Sequence, residues 1–345
     1  MPLISIALLC YNHEKLLPHN LKYLIDQSDK DFELILVDNQ STDNSYAILE
    51  QFKNDHPEMK IKMIRNNTRT VCEGRRAGVE AATGIYVAFH DGDDWLELDF
   101  IEQHRKAIVE HNYPDAIICM KKTVFPSGET QLEPSLPQEQ TPWVMRGDLG
   151  YTIKREFFLQ EETHFANIFF HDLFFSTSIN LHIRTVEYIR LPLYNYFIFE
   201  FSTISKERMH QVGSFVNPFA EACSVIKERL YCNAADEQKE RIEFQIISHY
   251  YSLVFQESTY LTARGMFRNY TMLRKIMRDF FPAYLSNQQI LLFKSNCLPK
   301  PFKQRLWLAA QLEKIDRFLH LTLCMRGLLL VYWLALKLKV YRPRR

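Results

Sequence analysis

Short apolar segments alternate with amphipathic segments over the first 122 residues of the chain. Near-continuous apolar runs predict strands that are buried on both faces, and apolar residues spaced three or four apart predict helices. This alternation predicts an α/β fold, in which a mostly parallel, doubly wound sheet is flanked by helices. The predicted strands are 3–12, 32–43, 60–66, 85–91 and 116–122, and the predicted helices are 14–27, 44–55, 74–83 and 97–111.

The pattern changes after residue 122. Residues 123–142 contain four of the fourteen prolines and little apolar periodicity, which predicts a surface loop or flap. One further strand is predicted at 189–199, and helical patterns dominate after about residue 206. We therefore predict three regions, namely an α/β domain over 1–205, a helical C-terminal region over 206–320 and a cationic amphipathic tail over 321–345.

Three polar clusters lie where the apolar runs of predicted strands end: Tyr11–Asn12, Asp38–Asn39 and Asp91–Asp94. The carboxyl ends of parallel strands share one edge of a sheet, and ligands bind beyond that edge. A single cluster is also explained by a turn or a helix cap, and for Asp38 alone this explanation is the better one. The three clusters together predict a ligand site.

The stretch Val87–Trp95, VAFHDGDDW, places Asp91, Asp93 and Asp94 within four residues. Like charges so close together repel one another, which indicates a function rather than a contribution to stability. Oxygen ligands of this kind suit Mg²⁺ or Mn²⁺, and such sites leave coordination positions for substrate phosphates. A D-x-D sequence alone is a weak signal, because it occurs by chance in many proteins.

The composition excludes several classes of protein. The chain has 345 residues, a mass of 41.0 kDa and a formal net charge of +1, so no overall basic field argues for a nucleic-acid partner. Its seven cysteines are scattered without a C-x-x-C pair, which is typical of reduced thiols. Strand-like sequence begins at Leu3 and leaves no room for a signal peptide, so we expect a cytoplasmic protein.

The segments SIALLCYN, ELILVDNQSTDNS and GRRAGVEAATGIYVAFHDGDDW resemble, in order and spacing, the family 2 glycosyltransferases of the GT-A fold. A weaker similarity extends to YNYFIFEFSTIS, so that about 200 residues are covered. The resemblance implies an inverting transferase that moves a sugar from a nucleotide-diphosphate donor, with uracil or thymine as its base, to a glycan or lipid-linked glycan. It also implies a setting in bacterial surface polysaccharide or lipopolysaccharide assembly.

The resemblance also assigns roles to residues of the donor site. Tyr11 is implied to stack on or flank the nucleobase, and Arg75 to contact the base or the phosphates. Asp38 and Asn39 are implied to read the edge of the base. Asp91 is implied to lie near the ribose, the diphosphate and the metal.

The same resemblance implies that Asp93 is the direct ligand of Mn²⁺ or Mg²⁺, whereas Asp94 is a third carboxylate, with a structural role as the alternative. Asp172 occupies the position of the family's general base, which would accept a proton from the acceptor hydroxyl as the new C–O bond forms. The alternative for Asp172 is a capping role for a helix predicted at 173–180.

Four residues depart from the family pattern. Asn39 replaces an aspartate, and an amide can donate as well as accept a hydrogen bond. His171 and Asn167 stand where the family has glutamates, which implies an unusual or differently bound acceptor. Phe197 stands where many relatives have an arginine, so a cationic contact to the diphosphate is expected to be absent.

The C-terminal segment LTLCMRGLLLVYWLALKLKVYRPRR contains an uncharged run, Gly327–Leu336, that is shorter than the roughly 20 residues needed to span a bilayer. Basic residues flank the run, and no acidic residue follows Asp316. Tyr332 and Trp333 suit a headgroup interface. The segment predicts a helix bound to the anionic inner face of the cell membrane. A buried terminal helix with a solvated basic tail is the alternative.

Two other functions are alternatives to the transferase. A sugar-nucleotide pyrophosphorylase requires a G-x-G-T-R segment near the N-terminus, and the sequence has none. A catalytically silent, membrane-associated scaffold of the same fold is favoured by the missing glutamates near Asp172, but the intact pair of Asp91 and Asp93 argues against it.

Overall fold

The computed structural model describes residues 2–132, 149–159, 165–198, 213–257, 261–288, 290, 300–318 and 323–337. These residues form two compact units. The first unit contains the described residues up to 167 together with 182–198, and the second contains 168–181 and the described residues from 213 onward. Residues 168–181 thus belong to the second unit, although they precede the predicted boundary near residue 205. That boundary itself lies outside the described residues.

The first unit is built on one nine-stranded sheet. Its order is β3-β2-β1-β4-β8-β6-β9-β5, and β7 pairs with β6. The long ladders, which join β1 to β2 and β4, β2 to β3, and β6 to β9, are parallel, whereas the short ladders of β5, β7 and β8 are antiparallel. The strands are β1 Ile4–Cys10, β2 Glu33–Asp38, β3 Lys60–Arg65, β4 Tyr86–Asp91, β5 Trp95–Leu96, β6 Ala116–Val124, β7 Thr130–Leu132, β8 Tyr151–Lys154 and β9 Val186–Phe197.

Strands β1 and β2 form where the sequence is apolar on both faces. Every residue of β1 and β2 is buried, whereas β3, at the edge of the sheet, is partly exposed throughout. Helices connect the parallel strands, as predicted. They are α1 Leu17–Ile25, α2 Ser45–Asp55, α3 Val71–Ala81 and α4 Phe100–Glu110. The short α5 Glu156–Leu159 follows the antiparallel strand β8.

Local hydrogen bonds fix two of the helix starts. Thr70 caps α3, because its hydroxyl accepts a hydrogen bond from the Glu73 N–H at 3.3 Å. At α2 the first residue, Ser45, donates its N–H to the Asp43 carboxylate at 2.9 Å. The loop predicted over 123–142 is a β-hairpin in its described part, because Lys122–Val124 pairs with Thr130–Leu132. Residues 133–142 lie outside the described residues.

The second unit is helical in its described residues. The fully buried carboxylate of Glu313 accepts hydrogen bonds from the hydroxyls of Tyr250, Tyr251 and Tyr284 in its core. Arg274 Nε lies 3.3 Å from the same carboxylate, so the buried charge is paired. The helices are α6 His171–Ile179, α7 Val216–Ile226, α8 Asp236–Glu257, α9 Ala263–Phe280, α10 Lys300–Phe318 and α11 Leu323–Lys337, with a π-helical turn at Lys227–Tyr231 and a 3₁₀ turn at Tyr284–Ser286.

The terminal helix α11 covers the apolar part of the predicted tail, and residues 338–345 lie outside the described residues. Met325 and Leu329 are buried. Tyr332 packs edge-on against Phe255, and Trp333 Nε1 donates a hydrogen bond to Leu261 O at 2.9 Å. These two aromatic side chains therefore contact protein. Among the described helices, none combines the length and the apolar character that a membrane span requires.

Candidate active site

The three polar clusters meet at the carboxyl edge of the four parallel strands β1 to β4. In the parallel register Cys10 pairs with Asp38, Asp38 pairs with Arg65, and Leu9 pairs with Asp91. The three clusters therefore begin within two residues of one another along the sheet. The predicted common edge is confirmed.

Residues Asp91–Asp94 form a tight turn beyond β4. The Asp94 N–H donates to Asp91 O at 3.1 Å, and the Gly92 N–H donates to Leu9 O at 2.8 Å. A Cβ atom at Gly92 would lie 2.7 Å from His13 Nδ1 and 3.1 Å from Leu9 O, so only glycine fits this close approach to β1. One carboxylate oxygen from each of Asp91, Asp93 and Asp94 lies within 4.8 Å of the others. We call this segment the acidic turn.

Burial disfavours the charged forms of Asp93 and Asp94 in the acidic turn. Burial raises the pKa of Asp93 to about 6. Burial also raises the pKa of Asp94 well above its ordinary value, and the negative charges of Asp93 and Asp91 raise it further. Converging carboxylate oxygens that repel one another fit a hard divalent cation, which would relieve the repulsion.

Strand β9 holds one of the three carboxylates. Tyr194 Oη donates to Asp94 Oδ2 at 2.8 Å, and the Phe197 N–H donates to Asp94 Oδ1 at 2.8 Å. Asp94 therefore anchors the acidic turn to the sheet, which leaves Asp91 and Asp93 as the better candidates for metal ligands.

Helix α3 places Arg75 beside the acidic turn. The side chain is buried, and its guanidinium carbon lies 5.0 Å from the centroid of the Phe89 ring. Its Nη2 lies 3.2 Å from Asp91 Oδ1. Gly74 allows α3 to approach the sheet, because a Cβ there would lie 2.3 Å from Leu9 Cδ1. The structure thus brings together Arg75 and Asp91, both predicted as donor-binding residues.

The predicted base-binding residues lie at the same edge in different environments. Tyr11 is 39% exposed, and the Arg69 guanidinium carbon lies 6.0 Å from the centroid of its ring. Asp38 is fully buried, with Ser41 N–H donating to Oδ1 at 3.2 Å and Arg65 Nε 3.6 Å from Oδ2. The exposed ring of Tyr11 suits the flat face of a base. The carboxylate of Asp38 suits the polar edge of a base, from which it can accept a hydrogen bond.

Asn39 is engaged within the protein. Its Nδ2 donates to Thr70 O at 3.0 Å, and its Oδ1 accepts from Asn66 Nδ2 at 2.8 Å. The side chain thus links the ends of β2 and β3 to the start of α3. Its predicted reading of the base edge stays a prediction.

Asp172 belongs to the second unit and lies in the first turn of α6, after His171. The residue preceding the helix is Phe170, so Asp172 is inside the helix rather than at its cap. A negative charge in the first turn stabilises the helix through its interaction with the helix dipole. The role of Asp172 as general base stays a prediction, as does the effect of the exposed Asn167 in the first unit.

Two tyrosines of β9 belong to the site and were not found from the sequence. Burial raises the pKa of Tyr194, with further contributions from Asp94 and Asp91, so its hydroxyl keeps its proton and donates. Burial, followed by the charges of Asp94, Asp91 and Asp93, also raises the pKa of Tyr196. The only signal in the sequence is that residues 194 and 196 share one face of a predicted strand.

Comparison with protein families gives one match over much of the first unit. The family described as Glycosyl transferase family 2 matches residues 5–174. EpsH of Bacillus subtilis, named as a glycosyltransferase, is 24% identical over 270 residues, which cover 72% of this chain and 75% of EpsH. The poly(ribitol-phosphate) beta-N-acetylglucosaminyltransferase TarS of Staphylococcus aureus is 23% identical over 267 residues, which cover only 44% of TarS.

Solved structures show the same fold. The crystal structure of TarS residues 1–349 in complex with UDP-GlcNAc has a TM-score of 0.64 at 15% identity and covers 93% of each chain. The mannosyltransferase PcManGT from Pyrobaculum calidifontis, in complex with GDP-Man and Mn²⁺, has a TM-score of 0.51 at 14% identity and covers 98% of this chain. The likeness to TarS confirms the predicted fold class.

Proposed function

Since residues 5–174 are a family 2 glycosyltransferase domain, we propose that this enzyme transfers a sugar, with inversion, from a UDP-sugar to a glycan or lipid-linked glycan. The observation that carries the proposal is the acidic turn with Arg75 at the carboxyl edge of the parallel strands. The complex of TarS with UDP-GlcNAc supports a uridine nucleotide as the donor.

Each part of the donor meets a suitable group at this edge. Tyr11 would flank the base, and Asp38 would accept a hydrogen bond from its edge. Arg75 would contact the diphosphate, to which a guanidinium can donate two hydrogen bonds. Asp91 and Asp93 would hold Mn²⁺ or Mg²⁺, which supplies positive charge for the leaving diphosphate.

Asp172 is proposed to act on the acceptor. A sugar hydroxyl is a weak nucleophile, and a carboxylate within hydrogen-bond reach accepts its proton as the C–O bond forms. A single displacement of this kind inverts the anomeric carbon. Alignment of the acceptor with the donor contributes further, because oriented groups react as if present at very high concentration.

A donor-hydrolysis screen of UDP-, dTDP-, GDP- and CMP-sugars, with and without Mn²⁺, tests the proposal. We expect Mn²⁺-dependent hydrolysis of a UDP-sugar by the wild type and its loss in Asp93→Asn. Asp172→Asn should bind UDP as the wild type does but transfer sugar to an acceptor about 10²- to 10⁴-fold more slowly. Absence of binding to any nucleotide in isothermal titration would instead support the catalytically silent scaffold.

We also propose that the second unit binds an anionic membrane surface from the cytoplasmic side. Leu323, Leu330, Val331 and Leu334 of α11 are exposed at the spacing of one helical face, and Val331 is 66% exposed. The flanking sequence is basic, and no acidic residue follows Asp316. An apolar helical face among cations suits an anionic lipid surface, where a lipid-linked acceptor would be presented.

Co-sedimentation with phosphatidylglycerol vesicles tests this face. Val331→Glu should abolish binding, because it places a negative charge in the contact with an anionic surface. Val109→Glu is the matched control, since Val109 is 56% exposed on α4 of the first unit, and it should bind as the wild type does. If size-exclusion chromatography shows that Val331→Glu only dissociates a dimer, the face is a self-association surface instead.

A further inference from the structure

A single hydroxyl connects both ends of the acidic turn to strand β9. Tyr194 Oη donates to Asp94 Oδ2 at 2.8 Å and accepts from the Asp91 N–H at 3.4 Å. Asp91 and Asp94 are the first and last residues of the turn. The hydroxyl of a residue that lies 100 positions further along the chain therefore spans the turn.

The chain that leaves the turn is also fastened to β9. Trp95 pairs with Asn195, and Leu96 pairs with Tyr194, in a short antiparallel ladder. The Phe197 N–H donates to Asp94 Oδ1 at 2.8 Å. Asp94 thus has a hydrogen bond from β9 on each carboxylate oxygen, and the turn is fixed by its last residue.

A buried network holds the first residue of the turn from the other side. Asn20 Nδ2 donates to Asp91 O at 3.0 Å, and Asn20 Oδ1 lies 2.9 Å from His90 Nε2. The His90 ring packs edge-on against the ring of Tyr194, with 5.8 Å between the centroids. Both residues are fully buried, so the Tyr194 ring is enclosed by protein.

We propose that Tyr194 is a positioning residue of the metal site, whose hydroxyl holds together the two ends of the turn that carries Asp91 and Asp93. This inference rests on the proposed function, because it concerns the same cation. Metal ligands depend on the groups behind them for their orientation, and loss of such a partner weakens metal binding without removing a ligand. The Tyr194 hydroxyl is the group in contact with both ends of the turn.

Mn²⁺ binding, followed through the electron paramagnetic resonance signal of free Mn²⁺ with and without UDP, tests the proposal. Tyr194→Phe removes one oxygen atom and should weaken Mn²⁺ binding about tenfold, as expected for a hydrogen bond to a charged group. Donor hydrolysis should recover most of the wild-type rate at saturating Mn²⁺, because the defect lies in metal affinity rather than in the chemical step.

Tyr86→Phe is the matched control. Tyr86 is fully buried in the same sheet, but its hydroxyl donates to Pro114 O at 2.7 Å. Both variants should lower the thermal unfolding midpoint by similar amounts, and only Tyr194→Phe should alter Mn²⁺ affinity. Equal losses of Mn²⁺ affinity in the two variants would show a general structural effect and would overturn the inference.

The same titration separates this inference from the proposed function. If Asp93→Asn loses Mn²⁺ but Tyr194→Phe binds it as the wild type does, the metal site stands and the positioning role of Tyr194 is refuted. If the wild type binds no Mn²⁺ with or without UDP, the metal site and the positioning role both fall.

Discussion

Nη2 of Arg75 lies 3.2 Å from Oδ1 of Asp91, so that a buried guanidinium forms an ion pair with the first residue of the acidic turn. This positive charge offsets part of the repulsion among the three carboxylates. Removal of one partner would leave the other charge without its counter-ion, which is costly in a buried setting. The pair therefore contributes to stability as well as to the proposed binding of the donor.

Arg75→Gln tests both contributions. We expect the free energy of unfolding to fall by about 2 kcal/mol, because Asp91 loses its counter-ion. We also expect the affinity for UDP with Mn²⁺ to fall about tenfold, the loss of one charge-assisted contact. Urea unfolding and isothermal titration calorimetry measure the two quantities.

Arg76→Gln is the control for this substitution. Arg76 is the next residue of α3 and lies 3.6 Å from Glu73 in a partly exposed pair. Its loss should change the free energy of unfolding by no more than about 0.5 kcal/mol and leave UDP affinity unaltered. A comparable loss of UDP affinity in both variants would mean that Arg75 acts only through the general charge of α3.

Two helical glycines should respond to alanine in opposite directions. In Gly74→Ala the new Cβ would lie 2.3 Å from Leu9 Cδ1 and 2.7 Å from Asn39 Oδ1, so the helix or its neighbours must move. We expect a loss of about 1–3 kcal/mol in the free energy of unfolding, with weaker UDP binding because Asn39 and Arg75 shift. Urea unfolding followed by circular dichroism measures the change.

Gly327→Ala is the counterpart, because among the described residues no atom beyond the neighbouring backbone of α11 itself lies within 4 Å of a Cβ at this position. Alanine favours the helix over glycine by about 1 kcal/mol, so this variant should be more stable than the wild type. Stabilisation by Gly74→Ala would contradict the close packing of α3 on the sheet.

Asn39→Asp distinguishes two roles for a residue that departs from the family pattern. Asn39 Nδ2 donates to Thr70 O at 3.0 Å, and a carboxylate in its place would face that carbonyl without a proton to donate. We therefore expect the free energy of unfolding to fall by about 1–2 kcal/mol. Unchanged stability together with an altered preference among UDP, dTDP and GDP would show instead that the side chain reads the base.

The strands and their common edge could be predicted because the apolar run of each strand stops at a polar cluster. Parallel pairing then brings Asp38 level with Cys10 and Asp91 level with the preceding residue, Leu9, whatever the details of packing. The acidic turn could be predicted because its three carboxylates lie within four residues of the sequence.

The partners of these residues could not be predicted, because they come from distant parts of the chain. Asp94 is held by Tyr194, and Asn39 by Asn66 and Thr70, through pairings that only the assembled sheet decides. The tail shows the same limit. Amphipathic sequence predicts a helix, but tertiary packing determines that Trp333 donates to Leu261 O.

A buried histidine should make the first unit sensitive to acid. Burial lowers the pKa of His104 to about 3, and its Nδ1 lies 2.6 Å from Thr152 Oγ1. Below about pH 6.5 the unfolded chain gains a proton at this residue that the folded chain does not, so stability falls as the pH falls from 6.5 toward 3. The contribution is about 1.4 kcal/mol per pH unit once the unfolded histidine is fully charged.

His104→Gln should lose this part of the pH dependence when urea unfolding is compared between pH 7 and pH 5, whatever its stability at pH 7. An unchanged slope in His104→Gln would show that His104 is able to take up a proton in the folded protein.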